Sequence, residues 1–242
     1  MRLLVVGGCG HVGKMVVPAL ARTHSVRVLD LAAPAAPVSD VEYHTGDLHD
    51  VDLVGSLASE VDSVVFMAMG PMAGWGSPDN ARQHFDVATS GLYLTLVGAA
   101  GAGVRHLVYT SSMSVYPYEE EAGTGTVTFP DESTPPSATD FYGLAKRLGE
   151  EVCRTATERY QMDAVCLRLC FPMADDEWPR NDTPRQRAIS TSGRDVAAAI
   201  EAALRRRGHG FDVYAISGDG REQTMSLAKA RAELGWSPRD VT

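Results

Sequence analysis

VVGGCGHVGK, residues 5–14, joins a short apolar run to the start of a helical segment through Gly7, Gly10 and Gly13. Glycines at this spacing let a turn tighten and bring backbone N–H groups close to a pyrophosphate, whose charge is favoured at a helix N-terminus. The pattern alone is common, and it gains weight from an acid further along the chain. Asp30 closes the next apolar run seventeen residues after Gly13, where an acid accepts hydrogen bonds from a ribose diol. Such an acid repels a 2′-phosphate and no arginine follows it immediately, so the expected cofactor is NAD rather than NADP. The plainer reading of Asp30 is a turn former at a strand end.

Working outward, short β-type runs alternate with helical stretches along the chain. The runs are 2–7, 26–30, 41–45, 63–68, 105–111, 163–169 and 211–216; the helical stretches lie near 11–22, 50–59, 79–102, 140–160, 194–207 and 226–234. Strands made of continuous Val, Leu and Ile suit burial on both faces. The sequence therefore predicts an α/β fold, a doubly wound parallel sheet of the Rossmann kind. Residues 32–38 and 117–139 are too irregular for regular elements, and the second is long enough to suggest a functional loop. Beyond 169 the chain turns polar and Pro-containing before one more helix and strand. This predicts a nucleotide-binding domain over 1–169 and a small substrate lobe over 170–242, packed as one unit.

Composition excludes several functions. A net charge of −9 over 242 residues would repel a phosphate backbone, so nucleic acid is not an expected partner. No apolar stretch is long enough for a membrane span, and the apolar opening runs into glycines without a signal-peptide pattern. Cys9, Cys153, Cys166 and Cys170 form no CxxC pair and no zinc spacing with the seven histidines, so no metal is expected and a reducing cytoplasm fits best. Arg205, Arg206 and Arg207, just before Gly208, read as a helix C-terminus.

DFYGLAK, residues 140–146, sets Tyr142 one helical turn before Lys146, so the two share a face. A phenol titrating near pH 10 is a poor base at neutrality, but a neighbouring ammonium favours its phenolate. The serine-rich turn YTSSMSVY (109–116) ends the fifth run, at the carboxyl edge where ligands gather in such sheets. A serine there could hold a substrate oxygen while Tyr142 takes or returns its proton.

Together with TSSMSVY, Asp47-Leu48, LRLCFP (167–172), GRDVAAAI (193–200) and KARAELGWSP (229–238), these features resemble the extended short-chain dehydrogenase/reductases, the NAD-dependent epimerase/dehydratase family. The resemblance covers nearly the whole chain. It implies that Ser112 polarises the substrate, with Ser111 as the neighbouring candidate, that Tyr142 is the acid/base, and that Lys146 tunes Tyr142 and holds the nicotinamide ribose. It places Gly7, Gly10, His11, Val12, Gly13, Asp30, Asp47, Leu48, Met67, Ala68 and Cys170 beside the cofactor, with Tyr142 and Lys146. It also implies a homodimer formed through the helices at 79–102 and 140–160.

Two departures bear on chemistry. Asp86 stands where the family has an asparagine, and a carboxylate cannot donate as an amide does. The TSS turn lacks the Asp-Glu pair of sugar-nucleotide dehydratases, which argues against that reaction. The short tail resembles that of uronate dehydrogenases, which oxidise C1 of a free hexuronic acid. That likeness implies a small-molecule substrate whose carboxylate meets Arg185, with Arg180 and Arg187 as competitors. Met113 replaces an asparagine of that subgroup at a substrate-contacting position, and Trp75 in the loop GPMAGWGSP (70–78) could cover a sugar ring. The expected activity is NAD-dependent oxidation of a secondary alcohol or hemiacetal of a small sugar, sugar acid or polyol. The alternatives are an epimerase and a non-catalytic dinucleotide sensor.

Overall fold

The computed structural model describes residues 1–117, 128–178 and 189–239. Seven parallel strands form one sheet: β1 (Arg2–Val6), β2 (Ser25–Asp30), β3 (Val41–Thr45), β4 (Ser63–Phe66), β5 (His106–Ser112), β6 (Asp163–Leu169) and, after the two-residue strands β7 (Pro172–Met173) and β8 (Thr191–Ser192), β9 (Phe211–Ile216). Their order is β3-β2-β1-β4-β5-β6-β9, with β7 and β8 paired separately. The order reverses direction at β1 and β4, which opens a crevice at their carboxyl ends.

Helices α1 (His11–Leu20), α2 (Val51–Leu57), α3 (Pro78–Asp86), α4 (Leu92–Gly101), α5 (Phe141–Tyr160) and α6 (Gly193–Arg205) cover both faces. The central strands are accordingly buried throughout, with Ser63, His106 and the Thr110–Ser112 end among the buried residues of β4 and β5. One core layer packs α1 and α6 on the sheet through Val16, Val17, Leu20, Val196, Ile200 and Leu204. The other packs α2, α4 and α5 through Val54, Leu92, Leu96 and Cys153.

The expected runs all appear as strands, but two features differ from expectation. The single helix anticipated over 79–102 is α3, a five-residue π-helical turn (Val87–Gly91) and α4. A Cβ at Gly91 would come within 2.1 Å of the Leu48 side chain and 3.3 Å of His49 Nε2, so the turn lies where two segments approach closely. Of the 170–242 segment, β9 hydrogen-bonds along β6 as the last strand of the main sheet, and α6 packs on α1. β9 thus extends the sheet itself, and α6 belongs to one of the helical layers that cover it.

Candidate active site

The glycine turn leaves β1 through Gly7, whose φ of 83° suits glycine and whose Cβ would stand 2.4 Å from the Ala68 backbone nitrogen. A Cβ at Gly13 would lie 2.2 Å from the Gly8 carbonyl, so α1 is pressed onto the turn. Helix α1 starts at Gly10 with no capping side chain and no acid in its first turn, whereas Asp50, Ser77, Asp140 and Ser192 cap α2, α3, α5 and α6. Its first N–H groups are thus left for an anion, as a pyrophosphate requires. Asp30 Oδ2 accepts from the Cys9 N–H at 2.9 Å and Oδ1 from the Ala32 N–H at 3.3 Å. The strand-end acid therefore braces the turn and stands beside it, where a ribose diol would reach its remaining lone pairs.

Around this turn, His11 Nε2 lies 3.1 Å from the Pro172 carbonyl, tying the start of α1 to the chain after β6. Val12 packs on the core edge. Met67 and Ala68 continue β4 against Gly7, with Met67 buried. Leu48 is buried, and Asp47 accepts from both the backbone and ring of His49, whose other ring nitrogen is 3.4 Å from Asp86. The His49 hydrogen bonds hold the Asp47 carboxyl below its ordinary value. Asp86, the departure from the family asparagine, thus lies near His49 Nε2, a buried nitrogen with no hydrogen-bond partner among the described residues.

Two strands along, β5 and α5 bring the acid/base candidates together. Asp140 caps α5 by accepting from the Tyr142 and Gly143 N–H groups, which fixes the first helical turn. A Cβ at Gly143 would sit 2.1 Å from the Ser114 carbonyl, so the helix start is seated on the serine turn. Lys146, 5% exposed, donates from Nζ to the Thr110 carbonyl at 2.7 Å and lies 5.9 Å from the centre of the Tyr142 ring. Burial drives Lys146 down to about 8. Ser112 accepts from the Ser114 N–H at 3.1 Å, and its hydroxyl acts to lower the Tyr142 phenol. Ser111 instead donates to Glu150 at 2.6 Å, which leaves Ser112 as the serine beside the tyrosine.

The tyrosine's ionisation differs from the simple expectation. Lys146 was expected to draw it down, but burial raises it above an ordinary phenol, with Ser112 acting in the opposite sense. The cover comes from the loop before α3: the Trp75 ring stands 5.2 Å from Tyr142 and 5.0 Å from Phe141, and His84 lies 5.7 Å from Tyr142. Asn80 holds that loop by donating to the Pro71 and Ala73 carbonyls. His84, kept below its ordinary value by burial, lies 3.3 Å from the Pro71 carbonyl. His84 and Asn80 are residues that no motif in the sequence marks; the Ser77-Pro78 helix start was a usable signal that α3 places them under the loop.

Residues 3–199 match the family described as the NAD dependent epimerase/dehydratase family. The chain belongs to that family. It is accordingly an enzyme of the extended short-chain dehydrogenase/reductase type, and NAD is its cofactor. A uronate dehydrogenase of Pseudomonas putida is 26% identical over 245 residues, covering 99% of this chain and 84% of that protein. An uncharacterized protein, y4nG, of Sinorhizobium fredii is 29% identical over 167 residues, which span 68% of this chain and 39% of that protein. The uronate dehydrogenase of Agrobacterium tumefaciens shares the fold with a TM-score of 0.81 at 22% identity, over 99% of this chain and 85% of that one.

In this family member Cys170 is 5% exposed, its thiol pushed up to about 12 by burial, and its carbonyl accepts from Thr191. Phe171 after it is exposed and takes a φ of 41°, a costly conformation for a bulky residue. Met113, expected at the substrate, is 2% exposed and packs in the core with Val115 and Tyr116. It begins the 3₁₀ turn Met113–Val115 after β5, in which Met113 and Val115 are both buried. Trp75 is where a cover over Tyr142 would be. Arg185, with Arg180 and Arg187, lies outside the described residues. No group of metal-holding side chains and no helix long and apolar enough to cross a membrane occurs among the described residues.

Proposed function

We propose that this enzyme oxidises the hemiacetal or secondary alcohol of a small free sugar, sugar acid or polyol, with a uronic acid as the first candidate. The observation that carries this reading is the meeting of Ser112, Tyr142 and Lys146 at the carboxyl end of β5, two strands from the glycine turn. NAD, bound with its pyrophosphate at the start of α1, supplies the hydride acceptor.

Ser112, on the turn beside Tyr142, holds the substrate oxygen at the same point. Tyr142 removes the hydroxyl proton, and Lys146, anchored on the Thr110 carbonyl, supplies the positive charge that makes a phenolate there less costly. Trp75 offers its face to the sugar ring and excludes water above Tyr142. In this reading Arg185, or its neighbours Arg180 and Arg187, meets a substrate carboxylate through a guanidinium fork. Support for a small substrate comes from the uronate dehydrogenases among the relatives. A second copy is proposed to pack on α4 and α5, where Tyr93 and Leu148 are exposed; light scattering tests this.

The purified protein, mixed with NAD and a panel of uronic acids, aldoses and polyols, is expected to produce NADH absorbance. Tyr142→Phe should lower that rate by a factor on the order of 10²–10⁴, the usual contribution of a positioned acid/base. A sugar epimer formed without net NADH would replace this reading with an epimerase. NAD binding with no change in any sugar would replace it with a sensor.

A further inference from the structure

Behind the Tyr142–Lys146 pair lies a buried charge cluster with no part in the reaction proposed above. Glu150 is one helical turn beyond Lys146 on α5, so their side chains share a face. Glu150 is 3% exposed and is held from two strands. From β6, Arg168 donates through Nε and Nη2 to its two oxygens at 2.9 and 2.8 Å; from β5, the Ser111 hydroxyl donates to Oε1 at 2.6 Å. Arg168 is equally buried, and its Nη1 donates to the Tyr116 hydroxyl, which lies within hydrogen-bonding reach of the Asp131 and Thr134 carbonyls. Desolvation offsets most of the attraction in a buried ion pair, so stability alone does not account for one. Its position one helical turn from a buried ammonium, beyond direct ion-pair contact, gives it a consequence.

The groups around Lys146 come from four elements. On α5 they are Tyr142, Glu150 and Cys153; on β5, the Tyr109 ring at 5.1 Å and the Thr110 carbonyl; on β6, Cys166 with Arg168 beyond it; on α3, His84. Asp140 faces Tyr142 from the helix cap. Against the burial that drives Lys146 down, Cys153, Glu150 and Cys166 act upward, and Glu150 is the carboxylate among them. Its charge cannot drift away, because a two-pronged guanidinium and a serine fix both oxygens.

We propose that Glu150, fixed by Arg168 and Ser111, is the buried counter-charge that keeps Lys146 an ammonium, and that Arg168 limits how much of that charge Lys146 receives. This deepens the reading of Lys146 as the cationic partner of Tyr142, and its test does not depend on turnover. Glu150 is a positioning residue here: it acts on the reaction only through Lys146.

The chain has three lysines, Lys14, Lys146 and Lys229. Protein labelled with ¹³C at lysine Cε therefore gives three signals whose titration NMR can follow, with Lys146→Met identifying the relevant one. Glu150→Gln is expected to lower the Lys146 midpoint by about one pH unit, and Arg168→Met to raise it. Arg168→Lys keeps the charge but loses the fork, and its midpoint should stay near wild type; a merely structural pair would make it behave as Arg168→Met does. Single substitutions that strand a buried charge can prevent folding, so the neutral double variant Glu150→Gln/Arg168→Met is included. Its midpoint should fall between wild type and Glu150→Gln. An unchanged midpoint in the double variant, or single variants that move together, would overturn the proposal. No turnover with these shifts intact refutes the reaction alone, whereas turnover with unmoved midpoints refutes the counter-charge alone.

Discussion

At the scale of single residues, the molecule turns on how deeply Tyr142 is covered. The spacing of Tyr142 and Lys146 on one helical turn was legible in the sequence, and so was a serine turn able to meet them. The cover was not, because Trp75 reaches Tyr142 from a loop more than sixty residues earlier, and no local pattern reports such a contact. The same holds for Glu150 and Arg168, whose pairing joins a helix to a strand. If the aromatic cover is what raises Tyr142, Trp75→Ala should bring its ionisation back toward the ordinary value near 10, by about half a pH unit to one unit. Phenolate absorbance measures this, taking Trp75→Ala minus Trp75→Ala/Tyr142→Phe and comparing it with wild type minus Tyr142→Phe. Equal midpoints would mean that the sheet and α5, rather than the loop, set the burial.

At the scale of elements, strands and helices were readable because the period of the apolar residues switches cleanly between them. The π-helical turn between α3 and α4 was not, since it lies where Leu48 and His49, some forty residues away in sequence, close in on Gly91. Nor was the role of His106, which reads as one polar residue in a strand. It is fully buried at the start of β5, with Nδ1 2.7 Å from the Ser63 hydroxyl on β4 and Nε2 2.9 Å from the Arg206 carbonyl just past α6. The arrangement suits a neutral ring that donates from Nε2 and accepts at Nδ1, and it joins three elements. Burial first, then Arg207, pushes His106 down to about 4. The unfolded chain takes up this proton near pH 6.5, whereas the folded one resists it until about 4. Stability is therefore lost as pH falls through that window, by about 3 kcal/mol in all. Urea midpoints measured between pH 7 and 4 should fall, and His106→Asn should remove about that much of the slope while lowering stability at pH 7.

At the scale of the whole molecule, the sequence suggested a division near residue 170, because the chain there becomes polar and irregular. Structure after that point returns to the parent sheet: β9 pairs with β6 along its length, and α6 lies on α1, the helix that starts at the glycine turn. Val196, Ile200, Leu204, Tyr214 and Ile216 are fully buried in that return. At roughly 1.5–3 kcal/mol for each large apolar side chain, their burial is on the order of 10 kcal/mol, comparable with the entire stability of a domain. A chain ending at residue 192 should therefore fail to fold, exposing one face of α1 and the edge of β6. The full chain should unfold in one transition by far- and near-ultraviolet circular dichroism, while the truncated chain should show no cooperative melt and no stabilisation by NAD. Cooperative melting of the truncated chain, raised by NAD, would instead establish that the nucleotide-binding half stands alone and that α6 and β9 belong to an added lobe. The first outcome ties cofactor binding to the C-terminal segment through shared burial, since α1, which follows the glycine turn, has no other covering layer among the described residues.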